Sequence, residues 1–522
     1  MPERTHPRQW NSHGFLPFRL EVLTPVFIGS GDDLSPLEYV IRKDGNVARL
    51  HIIDLQSWLM EQAANQSVQN IIASGDIARI RSMLDEKVNV DRFSLSSSVI
   101  ADPSLADELK QAFKGRQNNP RERQKDKTGN VSAALRNPAD GCLYIPGSSL
   151  KGSISTPLIN WLDKLSFVSL KECMQKDPKY GMTNRMKEMF GGIREHAMQA
   201  LKVSDVMAPV FNSSIVRAVE VSQTPGKKGT PKPPCEVILP NTGDMWGRLM
   251  MDCPGREPSI TLPGGKSVPF TELVRICNAF YRKRFSDENT KFYQQPHFKK
   301  VQASLQHAED SIRQLDESVM LLRIGHYSHI ECVTVENHKP FTRKGKSGTP
   351  MPFGTTRTLA DGVLPFGWIL LHFCSPEEYE QGLKNSEEKR LAAVETQRKH
   401  LLELTRQLEE QAAQAETVLR QKEEQRQAAE KKAAEAKARQ EELARQMADL
   451  SSEEALLFKL KSEPSEALSM EIFAAMKSWD VELQKKAAAT LRDVWQEMGK
   501  WSGKQSKKQE AKIKEIKALL SS

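Results

Sequence analysis

The feature that most restricts the fold of this chain is a run without proline or glycine, which begins near Asn385 and ends at Pro464. Its composition changes abruptly to Glu, Gln, Lys, Arg and Ala, residues that favour helix but supply little apolar surface. The run therefore predicts a long, exposed, charged helix over residues 385–450. A three-and-four spacing predicts only a short coiled-coil seam, because Lys422 and the alanines after it interrupt the pattern. The seam residues are Leu401, Leu404, Leu408, Gln411, Ala415 and Val418.

The segments on either side of this helix carry apolar patterns that can form cores. Residues 1–384 are long enough for a substantial globular core. Residues 451–522 regain Leu, Phe and Trp at helical spacings, as in Ile472, Phe473 and Trp495. We expect a small helical bundle or a docking hairpin in this C-terminal region. It either protects the end of the long helix or binds a partner, and the sequence leaves both interpretations open.

Composition and charge restrict the class of protein. The 522 residues have a formal net charge of +8, which permits binding to a polyanion without demonstrating it. The seven cysteines include no CxxC pair, so they indicate neither a disulfide framework nor a zinc ribbon, and they suit a reducing cytoplasm. The N-terminus lacks the apolar core of a signal peptide, and no stretch is apolar for long enough to span a membrane. We therefore expect a cytoplasmic protein with no membrane partner.

Short strand and helix patterns are mixed before the charged run, which predicts an α+β fold. Phe18, Leu20 and Val22 alternate in a first strand that leads to a glycine turn, and Asp54 is the predicted N-cap of a helix. The polar, basic residues 115–136 are predicted to form a mobile loop, because they have too little apolar surface to offset the entropy of ordering. Further strands are predicted near residues 39–41, 47–53, 216–221, 236–239, 246–251, 321–324, 332–335 and 368–373, and helices near 158–162, 183–190 and 270–285.

One short segment, LYIPGSSLKGSISTPLI at residues 143–159, joins a strand to a helix. The proline ends the strand, Gly147 permits a tight turn, and Ser148 or Ser149 is the predicted helix cap. Free N–H groups and the positive end of the helix dipole favour a phosphate there, and Lys151 adds a full charge. Gly152 would let a backbone approach closely. An ordinary strand-to-helix connection is the alternative explanation of the same residues.

Several motifs, in this order along the chain, resemble the RAMP superfamily of CRISPR effector subunits. They are TPVFIGSG near the start, then YIPGSSLKG, FGG and KVSD, and finally RIGHYSH, GTTRTL and LPFGWILL. The late RIG loop combined with TTRT and PFGW is most similar to the fifth Csm subunit of type III-A effectors, rather than to the repeated backbone subunit. The resemblance covers about residues 15–373.

The resemblance implies two ferredoxin-like, RRM-related halves with helical insertions, whose glycine-rich loops bind a guide RNA at its 3′ end. Such a subunit supports guide maturation and assembly in antiviral defence and does not itself cleave RNA. The implied partners are the CRISPR guide RNA, the target RNA paired with it and other type III effector subunits. A nuclease that trims the guide is a candidate partner of residues 451–522, about which the resemblance implies nothing. Contacts to phosphate and sugar suit this role, because one subunit must serve guides of every sequence. The implied RNA-binding residues are Gly29, Ser30, Gly31, Gly147, Ser148, Ser149, Lys151, Gly152, Arg323, Gly325, His326 and Arg357.

Two groups of side chains leave an enzymatic interpretation open. His326, His329 and His338 lie close together in sequence and could bind a metal or shuttle protons. Asp32 and Asp33 follow the GSG turn, near the position where backbone RAMP subunits carry the aspartate needed for target RNA cleavage. A backbone-type subunit that cuts target RNA with Mg²⁺ through Asp32 or Asp33 is therefore the alternative function. Capping or loop solvation explains both aspartates without any chemistry, and we favour that explanation. A glycine turn that leads into a strand does not by itself fix the geometry of metal ligands, so we predict neither a metal nor a cofactor.

Runs of basic residues are candidates for further RNA contacts, although a solvated surface explains any one of them. In FYRKRF the aromatic rings could stack on bases, but we favour core packing for Phe280, Tyr281 and Phe285. Loops at residues 115–136 and 222–234 are candidate wedges between guide and target. The basic residues are Arg116, Arg121, Arg123, Lys125 and Lys127, then Lys227, Lys228 and Lys232, then Arg282, Lys283 and Arg284, and finally Lys339, Arg343, Lys344 and Lys346.

Overall fold

The computed structural model divides the chain into two units, Met1–Leu404 and Thr405–Ser522, called the first and the second unit. None of the described helices is long and apolar enough to cross a membrane. The structure describes residues 14–45, 47–112, 129–209, 213–222, 228–241, 243–253, 257–336, 343–344, 350–351, 354–448, 450–503 and 506–521.

A five-stranded antiparallel sheet, called sheet A, contributes to the largest hydrophobic core of the first unit. Its middle strand is Phe15–Val22, in which Phe18, Leu20 and Val22 are buried as their alternation predicts. This strand pairs with Met245–Met250 on one side and with Trp368–Phe373 on the other, so segments distant in sequence become neighbours. The strand order is Val319–Arg323, Trp368–Phe373, Phe15–Val22, Met245–Met250 and Lys202–Val203.

A seven-stranded mixed sheet, called sheet B, has apolar clusters on both faces. Along its edge strand Tyr39–Asp44, Tyr39 and Ile41 pack with helix Pro103–Gln111, whereas Val40 joins a cluster on the opposite face. Because both faces are covered, consecutive residues of this strand are apolar. The strand order is Gly29–Leu34, Val131–Ala134, Cys235–Val237, Ser214–Val216, Ser94–Ile100, Val47–Ile53 and Tyr39–Asp44.

Smaller sheets and inserted helices complete the first unit. A four-stranded sheet, called sheet C, has the order Lys228–Pro231, Ala218–Ser222, Thr356–Ala360 and Leu364–Pro365. Two-stranded pairs join Ser259–Thr261 with Ser267–Pro269, Arg343–Lys344 with Pro350–Met351, and Tyr144–Ile145 with Val206–Met207. The α-helices are Leu55–Glu61, Gln66–Ala73, Ile77–Lys87, Val90–Phe93, Pro103–Gln111, Gly147–Leu165, Leu170–Lys176, Gly181–Phe190, Phe270–Glu288, Lys299–Arg313 and Ile330–Val333.

These elements confirm the predicted α+β class, with two principal sheets and helical insertions. The N-cap prediction is also confirmed, because the carboxylate of Asp54 accepts a hydrogen bond from the backbone N–H of Ser57 at 3.0 Å. Phe280, Tyr281 and Phe285 are buried, as expected for core packing. Their helix, Phe270–Glu288, packs on sheet A, where Phe285 meets the Trp368 ring at 5.1 Å.

Three predictions of local structure are wrong. The predicted strand near residues 332–335 is instead the short helix Ile330–Val333, since a brief apolar run does not distinguish the two. The glycine turn continues into a strand, Gly29–Leu34, which pairs with Val131–Ala134. Residues 131–134 were expected in the mobile loop, but Val131 is fully buried in the sheet B core. Residues 115–128 of that loop lie outside the described residues.

The long helix runs from Pro376 to Ala448, so it begins earlier than the composition predicts. Its first turns are anchored within the first unit. The Tyr379 ring lies 5.8 Å from that of Phe15, and Arg390 forms an ion pair with Asp140. Of the predicted seam, Val418 is exposed, and the other seam side chains lie outside the described residues.

The last residues of the chain form a helical bundle with its own core, which confirms the predicted C-terminal helical region. Its helices enclose Leu491, Val494 and Trp495, and the indole N–H of Trp495 donates to Ser469 Oγ at 3.0 Å. The four helices are Ser452–Ser462, Glu466–Ala475, Val481–Glu497 and Lys507–Ser521.

Candidate nucleic-acid interface

Three segments predicted from the sequence meet around one cavity of about 680 Å³. The first turn contributes Gly29 and Gly31, and the late glycine loop contributes Gly325 and His326. The helix Gly147–Leu165, called the junction helix, contributes Ser148, Ser149 and Gly152. Sheet A explains part of this convergence, because strands Phe15–Val22 and Val319–Arg323 lead into the first turn and the late loop.

The late loop is fixed directly on the first turn. Gly325 has φ +88°, and a Cβ at this position would collide with the carbonyl oxygen of Phe27. The next residue, His326, donates its backbone N–H to that same oxygen at 2.9 Å. Only glycine combines the positive φ with so close an approach. The glycine of the RIG motif is therefore needed for the packing of the late loop on the first turn.

The start of the junction helix differs from the prediction. Pro146 is the N-cap, and neither Ser148 nor Ser149 caps the helix with its side chain. The backbone N–H of Gly147 donates to Asp205 Oδ1 at 2.8 Å, and the N–H of Ser149 donates to the Pro146 carbonyl at 2.9 Å. The expectation of free N–H groups for a phosphate is therefore wrong for Gly147 and Ser149. Asp205, the last residue of KVSD, takes the place predicted for an external anion.

Gly147 and Gly152 have different roles on this helix. A Cβ on Gly147 would collide with the carbonyl of Val203, so this glycine permits close packing. A Cβ on Gly152 would meet no described atom within 4 Å, and Gly152 is exposed and lines the cavity. Lys151 is half-buried outside the cavity lining, and burial lowers its pKa. The open surface that the sequence predicted beside a glycine is thus found at Gly152.

Arg323 is among the residues that line the cavity and Arg357 is not, and both side chains are buried. Arg323 is fully buried, donates to the Phe366 carbonyl at 3.0 Å and forms an ion pair with Glu288. Arg357 lies 3.1 Å from both Glu288 and Glu331. The prediction that these two guanidinium groups contact RNA is therefore corrected, because both groups belong to a buried network of ion pairs. Burial alone would raise the pKa of Glu288, but the two arginines outweigh it and lower this pKa to about 2.

Aromatic side chains form one side of the cavity, and the sequence interpretation did not single out two of them, Phe27 and Tyr327. Phe27, His326 and Tyr327 line it together and are called the aromatic wall. Tyr281 lies deeper, where its hydroxyl is 2.9 Å from Ser153 Oγ. In the strings VFIG and RIGHYSH, Phe27 and Tyr327 each lie two positions from a glycine, and that signal would have identified them.

The acidic turn is explained by local hydrogen bonds. Ser30 lies outside the cavity lining; its hydroxyl accepts from the N–H of Asp32 at 3.2 Å and donates to the Ala133 carbonyl at 3.2 Å. Asp33 Oδ1 accepts from the Ser132 hydroxyl at 2.7 Å. Asp32 and Asp33 nevertheless line the cavity. Among the residues that the structure describes, no group of three or more His, Cys, Asp or Glu side chains is placed to hold a metal ion.

The two histidines of this group that the structure describes have different surroundings. His329 Nε2 accepts from the backbone N–H of Thr358 at 3.3 Å. Burial, reinforced by the charge of Arg323, lowers the pKa of His329 to about 3. His326 is exposed in the aromatic wall, and His338 lies outside the described residues.

Wherever the side chains of the basic runs are described, they form hydrogen bonds or ion pairs with other groups of the protein. Arg284 donates to the Glu331 carbonyl at 2.7 Å, Lys283 pairs with Glu336, and Arg282 donates to a backbone carbonyl. Lys232 donates to Thr358 Oγ1 at 2.8 Å. Part of the candidate wedge at residues 222–234 is strand Lys228–Pro231, and residues 223–227 lie outside the described chain. The side chains of the remaining basic residues also lie outside it: Arg116, Arg121, Arg123, Lys125, Lys127, Lys227, Lys228, Lys339, Arg343, Lys344 and Lys346.

The sequence model of the RAMP superfamily matches residues 19–414. Because this match spans most of the chain, the protein belongs to the RAMP superfamily. Its fold is similar to that of a chain in the cryo-EM structure of a Csm–crRNA–target RNA ternary complex of a type III-A CRISPR-Cas system, with 18% identity and a TM-score of 0.48. That similarity covers 68% of this chain and 100% of the other. The crystal structure of Csm5 from T. onnurineus is similar at 17% identity and a TM-score of 0.45, covering 67% of this chain and 99% of Csm5. No curated protein sequence matches the chain.

Proposed function

We propose that this chain is a non-catalytic, RNA-binding subunit of a type III CRISPR effector complex that caps the 3′ end of the guide RNA. It corresponds in this proposal to the fifth Csm subunit and supports guide maturation and assembly of the ribonucleoprotein. Membership of the RAMP superfamily and the resemblance of the late RIG, TTRT and PFGW motifs to that subunit support the assignment.

The convergence of three glycine-bearing segments around one cavity is the observation that carries the proposal. On the junction helix, the lining consists of the hydroxyl-bearing Ser148, Ser149, Ser153 and Thr156 together with Gly152. Hydroxyl and amide groups bind sugar and phosphate oxygens of any nucleotide and carry no sequence information. A subunit that serves guides of every sequence needs this kind of surface.

The experiment uses the full chain and short single-stranded RNAs of unrelated sequences, with affinity measured by fluorescence anisotropy over a salt series. We expect similar affinities for all sequences and a linear decrease of log affinity with log salt. Lys151→Ala should weaken binding equally for all sequences and reduce the salt slope by about one, as expected for one lost phosphate contact. Absence of binding, or strong dependence on the base sequence, would contradict the proposal.

The alternative function is a backbone-type subunit that cleaves target RNA with Mg²⁺ through Asp32 or Asp33. Reconstituted effector complex is incubated with labelled target RNA and magnesium. We expect the cleavage pattern to be unchanged by Asp32→Ala and by Asp33→Ala. Loss of cleavage in either variant would establish the alternative and overturn the non-catalytic assignment.

The C-terminal bundle is assigned as a docking region for another effector subunit or for a nuclease that trims the guide. Its separate hydrophobic core shows that the bundle buries its apolar residues by itself. Such a core agrees both with a docking region and with a bundle that only protects the end of the long helix, so the two are distinguished by experiment. Reconstitution with a chain that lacks residues 405–522 tests it. We expect the guide to be retained but its 3′ end to be longer or the complex to lose one subunit. Unchanged composition and guide length would dismiss a docking role.

A further inference from the structure

The aromatic wall is a rigid group of rings at the mouth of the cavity. The His326 ring meets Phe27 at 5.8 Å and Tyr327 at 4.6 Å, both in edge-to-face geometry. Tyr327 packs in turn against the buried Phe366 at 4.8 Å. These contacts fix the orientation of His326, and edge-to-face packing is a favourable arrangement of aromatic rings.

Packing within the chain does not account for the exposed part of this wall. Phe27 is buried, but His326 is exposed, and its ring forms no hydrogen bond with any residue that the structure describes. A fixed, exposed aromatic ring beside a cavity is a suitable platform for an unpaired base, because every base has a π face. Histidine serves in this way in proteins that bind single-stranded RNA.

The charges around the wall favour a base over a phosphate. Burial, and then the nearby charge of Lys232, lower the pKa of His326, so the ring is neutral at physiological pH. Asp32 and Asp33 line the same cavity, and their carboxylates oppose a phosphate but not an uncharged base. Lys232 itself lies over the Tyr327 ring at 4.9 Å and bonds to Thr358, so it is already engaged.

We infer that the aromatic wall binds one nucleobase of the RNA, which stacks on the exposed ring of His326 at the cavity mouth. This inference rests on the proposed function and adds a base subsite to a surface that otherwise grips sugar and phosphate. Stacking accepts any base, so the subsite agrees with binding that is independent of sequence. The hydroxyls of the junction helix then face the sugar–phosphate side of the same nucleotide.

The test compares two fluorescent RNAs of equal length and charge: a uridine strand, and a strand in which abasic ribonucleotides replace every nucleotide. The wild-type chain should bind the uridine strand about fivefold to a hundredfold more tightly, which is the range for losing one stacked base. His326→Ala should remove most of this preference while leaving the affinity for the abasic strand and the salt slope unchanged. His326→Phe should keep the preference.

Lys151→Ala is the matched control, because losing a phosphate contact weakens both strands equally and leaves their ratio unchanged. If both strands bind the wild-type chain with equal affinity, the base subsite is refuted and the proposed function stands. If neither strand binds, both fail. An undiminished preference in His326→Ala would also refute the inference. Because His326 is exposed, the variant is expected to fold normally, and its melting temperature checks this.

Discussion

Replacing Gly152 by alanine is expected to stabilise the fold and to weaken RNA binding at the same time. Gly152 lies inside the junction helix, where glycine is less favourable than alanine by about 0.5–1 kcal/mol. No described atom lies within 4 Å of an added Cβ, so the methyl group creates no collision that offsets this gain. The free energy of unfolding should therefore rise by about 0.5–1 kcal/mol.

The same methyl group projects into the cavity that we assign to RNA. If a nucleotide approaches the helix backbone at Gly152, the added carbon displaces it and lengthens its hydrogen bonds. Loss of about one such bond corresponds to roughly 1 kcal/mol, or about fivefold in affinity. The two assays are urea denaturation for stability and fluorescence anisotropy with single-stranded RNA for binding.

Two substitutions on the same helix serve as controls for Gly152→Ala. Ser155→Ala lies outside the cavity lining and should leave RNA affinity unchanged. Gly147→Ala should destabilise the fold, because its Cβ collides with the Val203 carbonyl. The reasoning is refuted if Gly152→Ala binds RNA as tightly as the wild-type chain, or if it is less stable.

Three further outcomes are expected. Glu288→Gln should destabilise the first unit by about 3–5 kcal/mol, because it leaves Arg323 buried without its carboxylate. Urea denaturation measures this change, and a value below about 1 kcal/mol would contradict the network. Because the pKa of Glu288 is lowered, its carboxylate stabilises the folded state at pH values above its ordinary pKa of 4.5, and this contribution should be lost as the pH falls from 4.5 towards 2. A wild-type acid transition that matches that of Glu288→Gln would contradict the assignment. Trp495→Ala should destabilise the C-terminal bundle by about 3–5 kcal/mol while RNA affinity stays unchanged, and hydrogen exchange would reveal an effect confined to the bundle.

Much of the architecture could be predicted because it follows from local patterns. Alternating apolar residues in Phe15–Val22 identified a central strand, and the run without proline or glycine identified the long helix. The order of the glycine motifs predicted the segments that meet at the cavity, although nothing in the sequence gave their distances. Strand pairing in sheets A and B positions Gly29 and Gly325, whereas Ser148 is placed by the packing of the junction helix on Val203 and Asp205. The motifs do not encode these contacts individually.

The errors arose where a distant partner decides the role of a residue. Asp205 caps the junction helix from a separate segment, so the local serines that suit an N-cap are not used. Arg323 and Arg357 appeared to be RNA ligands because they flank glycine and threonine motifs. Their common partner, Glu288, ends a helix whose apolar pattern gave no sign of a buried carboxylate. Local propensity cannot reveal such pairs, because the fold alone brings them together.

The buried network beneath the late loop balances its charges, since Arg323 and Arg357 face Glu288 and Glu331. Mobile ions screen exposed charges strongly and buried pairs much less. Salt concentrations that would detach a bound polyanion should therefore leave the conformation of the late loop unchanged. Under the proposed function, the protein should therefore release and rebind RNA through cycles of ionic strength without any refolding step, and a salt titration should report its contacts with RNA and not the rigidity of its scaffold.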